Sequence, residues 1–381
     1  MATAFSHLHC TSCSRDIMDV NGAIYLCPYC GGILETVFTY KQQFIELIQN
    51  GNFAIADVLP FDSSAYIDIG QGNTPLLQAG YLSDKYGVQL YLKCEYQNPT
   101  GSFKDRPVSC GISKAVSMGY RRAVVASSGN GAAAVAAFAA KVGMQACIYV
   151  PESTPEEKVK QAKMYGGKVF RVQGPYSNSY RAALEDGEEG TCNLTTTFLN
   201  PFTIDGDKVV AYELYLAMGV PDAIYVPIGA GPLLVGILKG FEELRTLGII
   251  DILPRMVGVQ ALGCSPVVTA FERGERVCSD SAPSTIAGGI CDGLVGYEQD
   301  GNYTLSAVCR SHGICVAVSD EEICYAQSRL ARSEGIFVEP SSAAAIAAIS
   351  RTARQLAGEG GRVVALLTGH GLKDMKNAQI E

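Results

Sequence analysis

Residues 123–150 read AVVASSGNGAAAVAAFAAKVGMQACIYV, and this stretch decides the fold class. Both ends are short apolar runs with β-branched residues, whereas residues 132–142 are alanine-rich and predict a helix. A strand, a helix and a second strand in this order are typical of a parallel sheet. Similar units follow over residues 223–259, and residues 363–367 predict a closing strand. Because no low-complexity linker separates these units, we expect an α/β fold with two interleaved parallel-sheet domains.

Two helix starts carry a recognisable capping signal. Thr154 precedes Pro155 and stands three residues before Glu157, which predicts a capping box with proline at the first helical position. Ser319 and Glu322 have the same spacing and predict a second capped helix.

The composition is that of a well-buried globular protein, because 48% of the 381 residues are hydrophobic and 18% are charged. The formal net charge of −8 repels phosphate backbones and anionic lipids, so neither nucleic acid nor a membrane is an expected partner. No apolar stretch has the length of a membrane span, and the first residues carry neither a basic region nor an apolar core. We therefore expect a cytoplasmic protein that acts on a small molecule.

Four of the fourteen cysteines have the spacing of metal ligands. They form two Cys-x2-Cys pairs separated by 13 residues, at Cys10, Cys13, Cys27 and Cys30. Two such pairs can bring four thiolates to one tetrahedral point, which is the geometry of structural zinc. The alternative, four unligated thiols, leaves a short segment with little core to fold around. Lysine and arginine are sparse here, so we predict a zinc-ribbon-like segment over residues 1–35 with a structural or interface role.

A lysine at the start of a predicted helix is the main candidate for catalysis. Residues 98–106 read NPTGSFKDR, which places Lys104 between a turn and a new helix. There its amine can bind the aldehyde of pyridoxal phosphate, a cofactor that acts as an electron sink for carbanion chemistry. A lysine after a Gly-Ser turn is most often a solvated surface charge, so this interpretation depends on other segments that fit the same cofactor.

A glycine loop supplies the first of those segments. It follows a buried strand, opens a helix and consists of Gly229, Ala230, Gly231, Pro232 and Leu233. Backbone N–H groups at such a junction can hold the cofactor phosphate, although a plain tight turn is the alternative.

Two more junctions fit the cofactor and its substrate. The run SSGNG at 127–131 also lies between a strand and a helix, where Asn130 can hydrogen-bond the ring hydroxyl and Ser128 can meet a substrate carboxylate. A simple N-cap is the alternative. Thr368 follows the last strand, and its hydroxyl can contact the pyridine nitrogen. The residues that we assign to substrate binding in the run at 127–131 are Ser127, Ser128, Gly129 and Gly131.

These segments together resemble threonine synthase, a family in the tryptophan-synthase-β, or fold-type II, group of pyridoxal-phosphate enzymes. The resemblance is carried by NPTGSFKDR at 98–106, SSGN at 127–130, GAG at 229–231, EPSSAA at 339–344 and TGHGLKD at 368–374. It covers the chain from residue 72 almost to its end. It implies the type II fold, preceded by the ribbon. We expect residues 36–91 and 174–381 to form the large cofactor-binding domain, and residues 92–173 the small α/β domain.

The resemblance also implies roles for single residues. Lys104 would form the Schiff base, Asn130 would contact the cofactor O3′, residues 229–233 would hold its phosphate, and Thr368 would face the ring nitrogen. The family converts O-phospho-L-homoserine and water into L-threonine and phosphate. Its phosphate-binding arginine aligns with Arg181, for which an exposed helical arginine is the alternative. Related enzymes are usually dimeric, so a homodimer is expected.

Three departures from the family pattern fall on substrate recognition. Gly131 stands where a small polar residue is usual, Phe198 where a phosphate-binding serine is expected, and Gly288-Gly289 in a motif that normally leads to an arginine. They leave open a β-replacement synthase acting on O-phosphoserine or a similar serine derivative, as in cysteate synthase, and a serine or threonine dehydratase. A catalytically silent homologue that binds partners through its ribbon is a third alternative, against which the intact Lys104 counts.

Overall fold

The computed structural model describes residues 3–18, 20, 24–186, 190–195 and 197–378. They form two compact units, each assembled from separate parts of the chain. The first unit combines Met1–Gln71 with Lys104–Val209, and the second combines Gly72–Phe103 with Val210–Glu381. Because the chain leaves and re-enters each unit, the prediction of two interleaved α/β domains is confirmed.

The first unit begins with a small antiparallel sheet, which we call the ribbon. Strand β1 (Phe5–Cys10) lies between β2 (Asp16–Ile17) and β3 (Leu34–Phe38). Leu8 and Leu34 form its buried centre together with two of the ribbon cysteines. Burial of so few apolar side chains provides little folding free energy, so a sheet of this size needs further stabilisation.

A four-stranded, fully parallel sheet forms the centre of the rest of this unit, in the order β8-β7-β6-β9. The strands are β6 (Arg122–Ala126), β7 (Gln145–Pro151), β8 (Lys168–Val172) and β9 (Thr191–Asn193). The helices are α1 (Gln42–Gln49), α3 (Asp105–Ser117), α4 (Asn130–Val142), α5 (Glu156–Met164), α6 (Tyr176–Glu185) and the first part of α7 (Thr203–Met218). Short 3-10 turns lie at Ile55–Val58 and Ser63–Ala65. Helices α3 and α4 bury most of their residues in the core of this sheet.

The second unit contains a six-stranded sheet in the order β12-β11-β10-β13-β5-β4. Its strands are β4 (Leu76–Gln78), β5 (Gln89–Lys93), β10 (Ala223–Pro227), β11 (Arg255–Ala261), β12 (Ile314–Val318) and β13 (Arg362–Leu366). Its helices, besides the rest of α7, are α2 (Gly80–Tyr86), α8 (Pro232–Thr246), α9 (Pro266–Arg273), α10 (Glu298–Arg310), α11 (Asp320–Glu334) and α12 (Pro340–Ala357), with 3-10 turns at Glu95–Gln97 and Gly371–Asn377. The edge strand β4 pairs antiparallel with β5, so this sheet is mixed and not purely parallel as predicted.

The unit limits differ from the domain limits predicted at residues 35, 91 and 173. Strand β9 lies beyond residue 173 but pairs in parallel with β6, so it completes the sheet of the first unit. The ribbon shares its core with Phe202 of the same unit. Backbone pairing between distant segments therefore decides where this unit ends.

The two predicted helix caps have different outcomes. The Ser319 hydroxyl accepts a hydrogen bond from the Glu322 amide at 3.2 Å, and the Glu322 carboxylate accepts one from the Ser319 amide at 2.7 Å, so this capping box is confirmed. Helix α5 instead has Pro155 as its N-cap, without a side-chain cap. The Thr154 amide is used in a turn with the Pro151 carbonyl, so the predicted box at Thr154 is wrong.

No helix in the described part of the chain is both long enough and apolar enough to cross a membrane.

Candidate active site

The glycine loop of the second unit joins the end of β10 to the start of α8, as predicted. Gly231 has a φ of +101°, and a Cβ atom built there would lie 2.3 Å from the side chain of the buried Thr304. Only glycine fits this position, because a side chain would meet both backbone strain and a steric overlap.

Two buried side chains orient the carbonyl groups of this loop. The Thr304 hydroxyl donates to the Ala230 carbonyl at 2.5 Å, and the Gln260 amide donates to the Gly229 carbonyl at 3.3 Å. In a trans peptide the following N–H points opposite to the carbonyl, so the N–H groups of Ala230 and Gly231 point away from these two side chains. N–H groups at the start of a helix attract an anion, and the loop therefore fits a phosphate group.

Gly231→Ala is expected to lower the free energy of unfolding by about 2–4 kcal/mol, since it combines left-handed backbone strain with displacement of Thr304. It should also weaken binding of pyridoxal phosphate. The matched control is Gly274→Ala, at a φ of +65° with open space around it, which should cost only about 1–2 kcal/mol. Denaturant titration and cofactor titration measure both effects. Equal cofactor affinity in the two variants would contradict the phosphate assignment.

Thr368 lies two residues after the end of β13 and is almost fully buried. Its hydroxyl is 2.9 Å from that of Ser342, at the start of α12, and the Ser342 hydroxyl accepts a hydrogen bond from the Gly369 amide at 2.7 Å. The Thr368 carbonyl accepts from the backbone amide of Phe103 at 2.9 Å. The hydroxyl is thus held in a fixed position, as contact with a ring nitrogen requires. The sequence predicted no role for Ser342, although the EPSSAA run that contains it was a usable signal.

A buried polar network in the second unit holds the start of the NPTGSFKDR segment. The Asn98 side chain accepts from the Gly72 amide at 2.9 Å and donates to the Glu95 carboxylate at 2.9 Å. Thr74 donates to the same carboxylate at 2.7 Å. Buried and hydrogen-bonded groups of this kind limit the conformations that a loop can adopt. These hydrogen bonds were not predicted from the sequence, because the residues that form them lie in two separate motifs.

In the first unit, Lys104 is half-buried and immediately precedes α3. Asp105 and Arg106, at the start of the helix, are buried. Few residues of α3 reach solvent, so the helix that follows the lysine has one defined position in its unit. This is the turn-to-helix placement that the sequence predicts for Lys104.

The predicted substrate loop lies between β6 and α4 of the first unit. Ser127, Ser128 and Asn130 are half-buried and Gly129 is exposed, whereas Gly131 is buried in the first turn of α4. The loop follows the carboxyl end of a parallel strand, where α/β proteins commonly bind ligands.

Arg181 lies exposed on α6, and its guanidinium donates to the Asn178 side chain at 2.5 Å. It is therefore open to an anionic ligand.

Among the departures from the family pattern, Phe198 is 1% exposed, so its ring belongs to the interior of the first unit. Gly288 and Gly289 are exposed in the second unit, and the Gly289 amide donates to the Ser341 hydroxyl at 2.8 Å.

A pair of thiols near the glycine loop was not predicted from the sequence. Cys291 is half-buried, and a hydrogen bond with the buried Cys264 lowers the pKa of Cys291 to about 7 and raises that of Cys264. The next residue, Asp292, has its Cβ 3.0 Å from the position that a side chain at Gly229 would occupy. A thiol with a lowered pKa thus adjoins the residue that packs on the loop.

The four ribbon cysteines come together as predicted. Their sulfur atoms all lie within 4.8 Å of one another, with 3.5 Å between those of Cys10 and Cys30 and 3.7 Å between those of Cys13 and Cys27. Zinc–sulfur bonds of about 2.3 Å in a tetrahedron place the sulfurs about 3.8 Å apart. The cluster therefore has the donor set and the spacing of a structural metal site.

Comparison with known proteins identifies the family of the chain. The family model described as pyridoxal-phosphate dependent enzyme matches residues 67–369. Threonine synthase of Methanocaldococcus jannaschii is 36% identical over 379 residues, which cover 96% of this chain and 92% of the relative. Threonine synthase of Methanosarcina acetivorans is 35% identical, with coverages of 97% and 92%. Among solved structures, maize serine racemase has a TM-score of 0.69 at 24% identity, covering 87% of this chain and 95% of that one; this likeness concerns the fold. The chain therefore belongs to the family of pyridoxal-phosphate dependent enzymes, in the fold-type II group that includes threonine synthase.

Proposed function

We propose that this protein is a threonine synthase, which converts O-phospho-L-homoserine and water into L-threonine and phosphate. The observation that carries the proposal is the match to threonine synthases over nearly the whole chain. The orientation of the glycine loop and the positions of Lys104 and Thr368 support the cofactor. A homodimer, a cytoplasmic location and zinc as the ribbon metal are further parts of the proposal, and the spacing of the four sulfurs supports the last of these.

In this proposal the residues of the chain bind the cofactor and move protons. Lys104 would hold the aldehyde carbon, the N–H groups of the glycine loop its phosphate, Asn130 its ring hydroxyl, and Thr368 its ring nitrogen. When bound, pyridoxal phosphate supplies an electron sink for negative charge on the substrate. The Nζ of Lys104, once released by the incoming amino group, would take the proton from Cα of the substrate. Removal of a Cβ proton, loss of phosphate from Cγ, protonation of Cγ, addition of water at Cβ and return of a proton to Cα would complete the reaction.

A substrate panel tests the proposal against its alternatives. The purified enzyme is incubated with O-phosphohomoserine, with O-phosphoserine plus sulfite, with serine and with threonine, and the products are identified. Threonine and phosphate from the first compound alone are expected. Cysteate from the second would establish a β-replacement synthase, and an oxo acid with ammonia from serine or threonine would establish a dehydratase. Either result would replace the threonine synthase assignment.

Arg181→Ala is expected to raise the KM for O-phosphohomoserine by about 10–100-fold and to change kcat little. The reason is that a guanidinium can bind phosphate through two charged hydrogen bonds. Arg181→Lys keeps the positive charge but cannot form the two parallel hydrogen bonds of a guanidinium. Its KM for O-phosphohomoserine should therefore lie between those of the wild type and Arg181→Ala. The control is Arg121→Ala, another exposed arginine of the first unit, which should behave as wild type. If the KM for an unphosphorylated amino acid rises as much, Arg181 is not the phosphate receptor.

A further inference from the structure

A buried junction connects the ribbon with the start of α7 inside the first unit. The Thr36 hydroxyl, on β3, donates to the Asp205 carboxylate at 2.6 Å. The Lys208 ammonium lies 3.4 Å from the other oxygen of Asp205 and 3.4 Å from the ring centre of Phe38, also on β3. Asp205 and Lys208 are completely buried. A buried ion pair requires well-defined partners, so the ribbon strand completes the environment of this pair.

A second set of contacts ties the ribbon to helix α3. The ring of Phe202, just before α7, belongs to the apolar core of the ribbon and meets the ring of Phe5 edge to face at 5.8 Å. The ammonium of Lys114, on α3, lies 5.0 Å from the Phe5 ring and 4.8 Å from the Phe202 ring. Burial lowers the pKa of Lys114, and the two ring faces provide partial compensation for its charge.

The junction reaches the first turn of α3 through a backbone contact. A Cβ built on Gly206, next to Asp205, would lie 2.1 Å from the Arg106 carbonyl oxygen and 2.8 Å from the Pro107 Cα. The start of α7 thus lies directly on the backbone of the turn that begins after Lys104. A shift of α7 at this point cannot be absorbed by a flexible side chain, because backbone meets backbone.

From these contacts we propose that the ribbon positions Lys104, with Thr36, Phe38, Asp205 and Lys208 as positioning residues. The ribbon strand holds the buried pair, the pair holds the start of α7, and α7 holds the first turn of α3. Loosening the ribbon contact therefore loosens the backbone that carries the lysine. The inference rests on the proposed function only in taking Lys104 as the cofactor lysine. It goes beyond that function in giving the metal ribbon a role in cofactor attachment.

Thr36→Val tests the first link, because it removes the hydroxyl and keeps the shape of the side chain. We expect the dissociation constant for pyridoxal phosphate, measured by visible absorption of the holoenzyme, to rise about tenfold. Amide hydrogen exchange over residues 105–111 should accelerate by a similar factor. Thr36→Ser restores the hydroxyl and should stay within about twofold of wild type in both measurements.

The control is Thr352→Val, which removes a hydroxyl 2.8 Å from that of the buried Tyr225 in the second unit. It should lose comparable stability and keep wild-type cofactor affinity. If Thr36→Val matches this control in cofactor affinity and in exchange over residues 105–111, the proposal is overturned. Should Thr36→Val fail to fold, Phe38→Leu removes only the ring beside Lys208 and is measured in the same way; unchanged affinity would again overturn it. Neither measurement uses an amino-acid substrate, so failure here is separate from failure in the substrate panel.

Discussion

Lys104→Ala should abolish activity on any amino-acid substrate, with turnover reduced by about 10³-fold or more. In the proposed function the variant loses both the amine that would hold the cofactor and the base that would move the substrate proton, and positioned bases alone contribute factors of about 10²–10⁴. The visible absorption of lysine-bound pyridoxal phosphate should disappear. Borohydride reduction followed by peptide mapping should label residue 104 in the wild type and no lysine in the variant.

The control for this prediction is Lys141→Ala, which removes an exposed lysine in the last turn of α4 of the same unit. Its absorption, labelling and turnover should equal those of the wild type. Label on another lysine in the wild-type enzyme, or an unchanged spectrum in Lys104→Ala, would place the cofactor elsewhere and remove the basis of the proposed function. Because labelling needs no substrate, this result is independent of which amino acid the enzyme uses.

Much of the fold and of the candidate site was predictable because the signals are local. The glycine loop, the run at 127–131 and Thr368 each lie at the end of a strand. A strand end is marked by the change from an apolar run to glycine, serine or threonine. The four cysteines were predictable for a related reason, since their spacing within the chain nearly determines their spacing in space.

The supporting residues could not be predicted, because their partners are far apart in the sequence. Thr304 forms a hydrogen bond with the Ala230 carbonyl, which lies 74 residues away in the sequence. Ser342 forms one with Thr368, which lies 26 residues away. Nothing in the local pattern distinguishes Thr304 from an ordinary buried threonine, and the EPSSAA run draws attention to Ser342 without indicating its partner. The limits of the two units likewise depend on contacts between distant segments, since β9 joins its sheet through pairing with β6.

The double variant Cys10→Ser/Cys27→Ser is expected to lose the bound metal and several kcal/mol of unfolding free energy. Both side chains are buried in the ribbon core, so the variant leaves two thiolates and two buried hydroxyls where four thiolates would hold a metal. Structural zinc contributes apparent binding energies of about 10–16 kcal/mol in small peptides, and we expect a ribbon with this little core to need such a contribution. The measured metal content should fall from one ion per chain in the wild type to none in the variant. Thermal unfolding should become insensitive to a chelator, which should destabilise the wild type.

The matched control separates metal loss from the cost of burying a hydroxyl. Cys315→Ser makes the same chemical change at a buried strand position outside the cluster, so it should cost about 1–3 kcal/mol and keep the metal. Because the ribbon core includes Phe202 and the ribbon strand holds Asp205, metal loss should also weaken cofactor binding, which the control should leave unchanged. A wild-type protein that is purified without metal, yet unfolds at the same temperature with and without chelator, would show that the four thiols need no ion. In that case the packing of the ribbon against α7 must supply the stability that the metal is expected to provide.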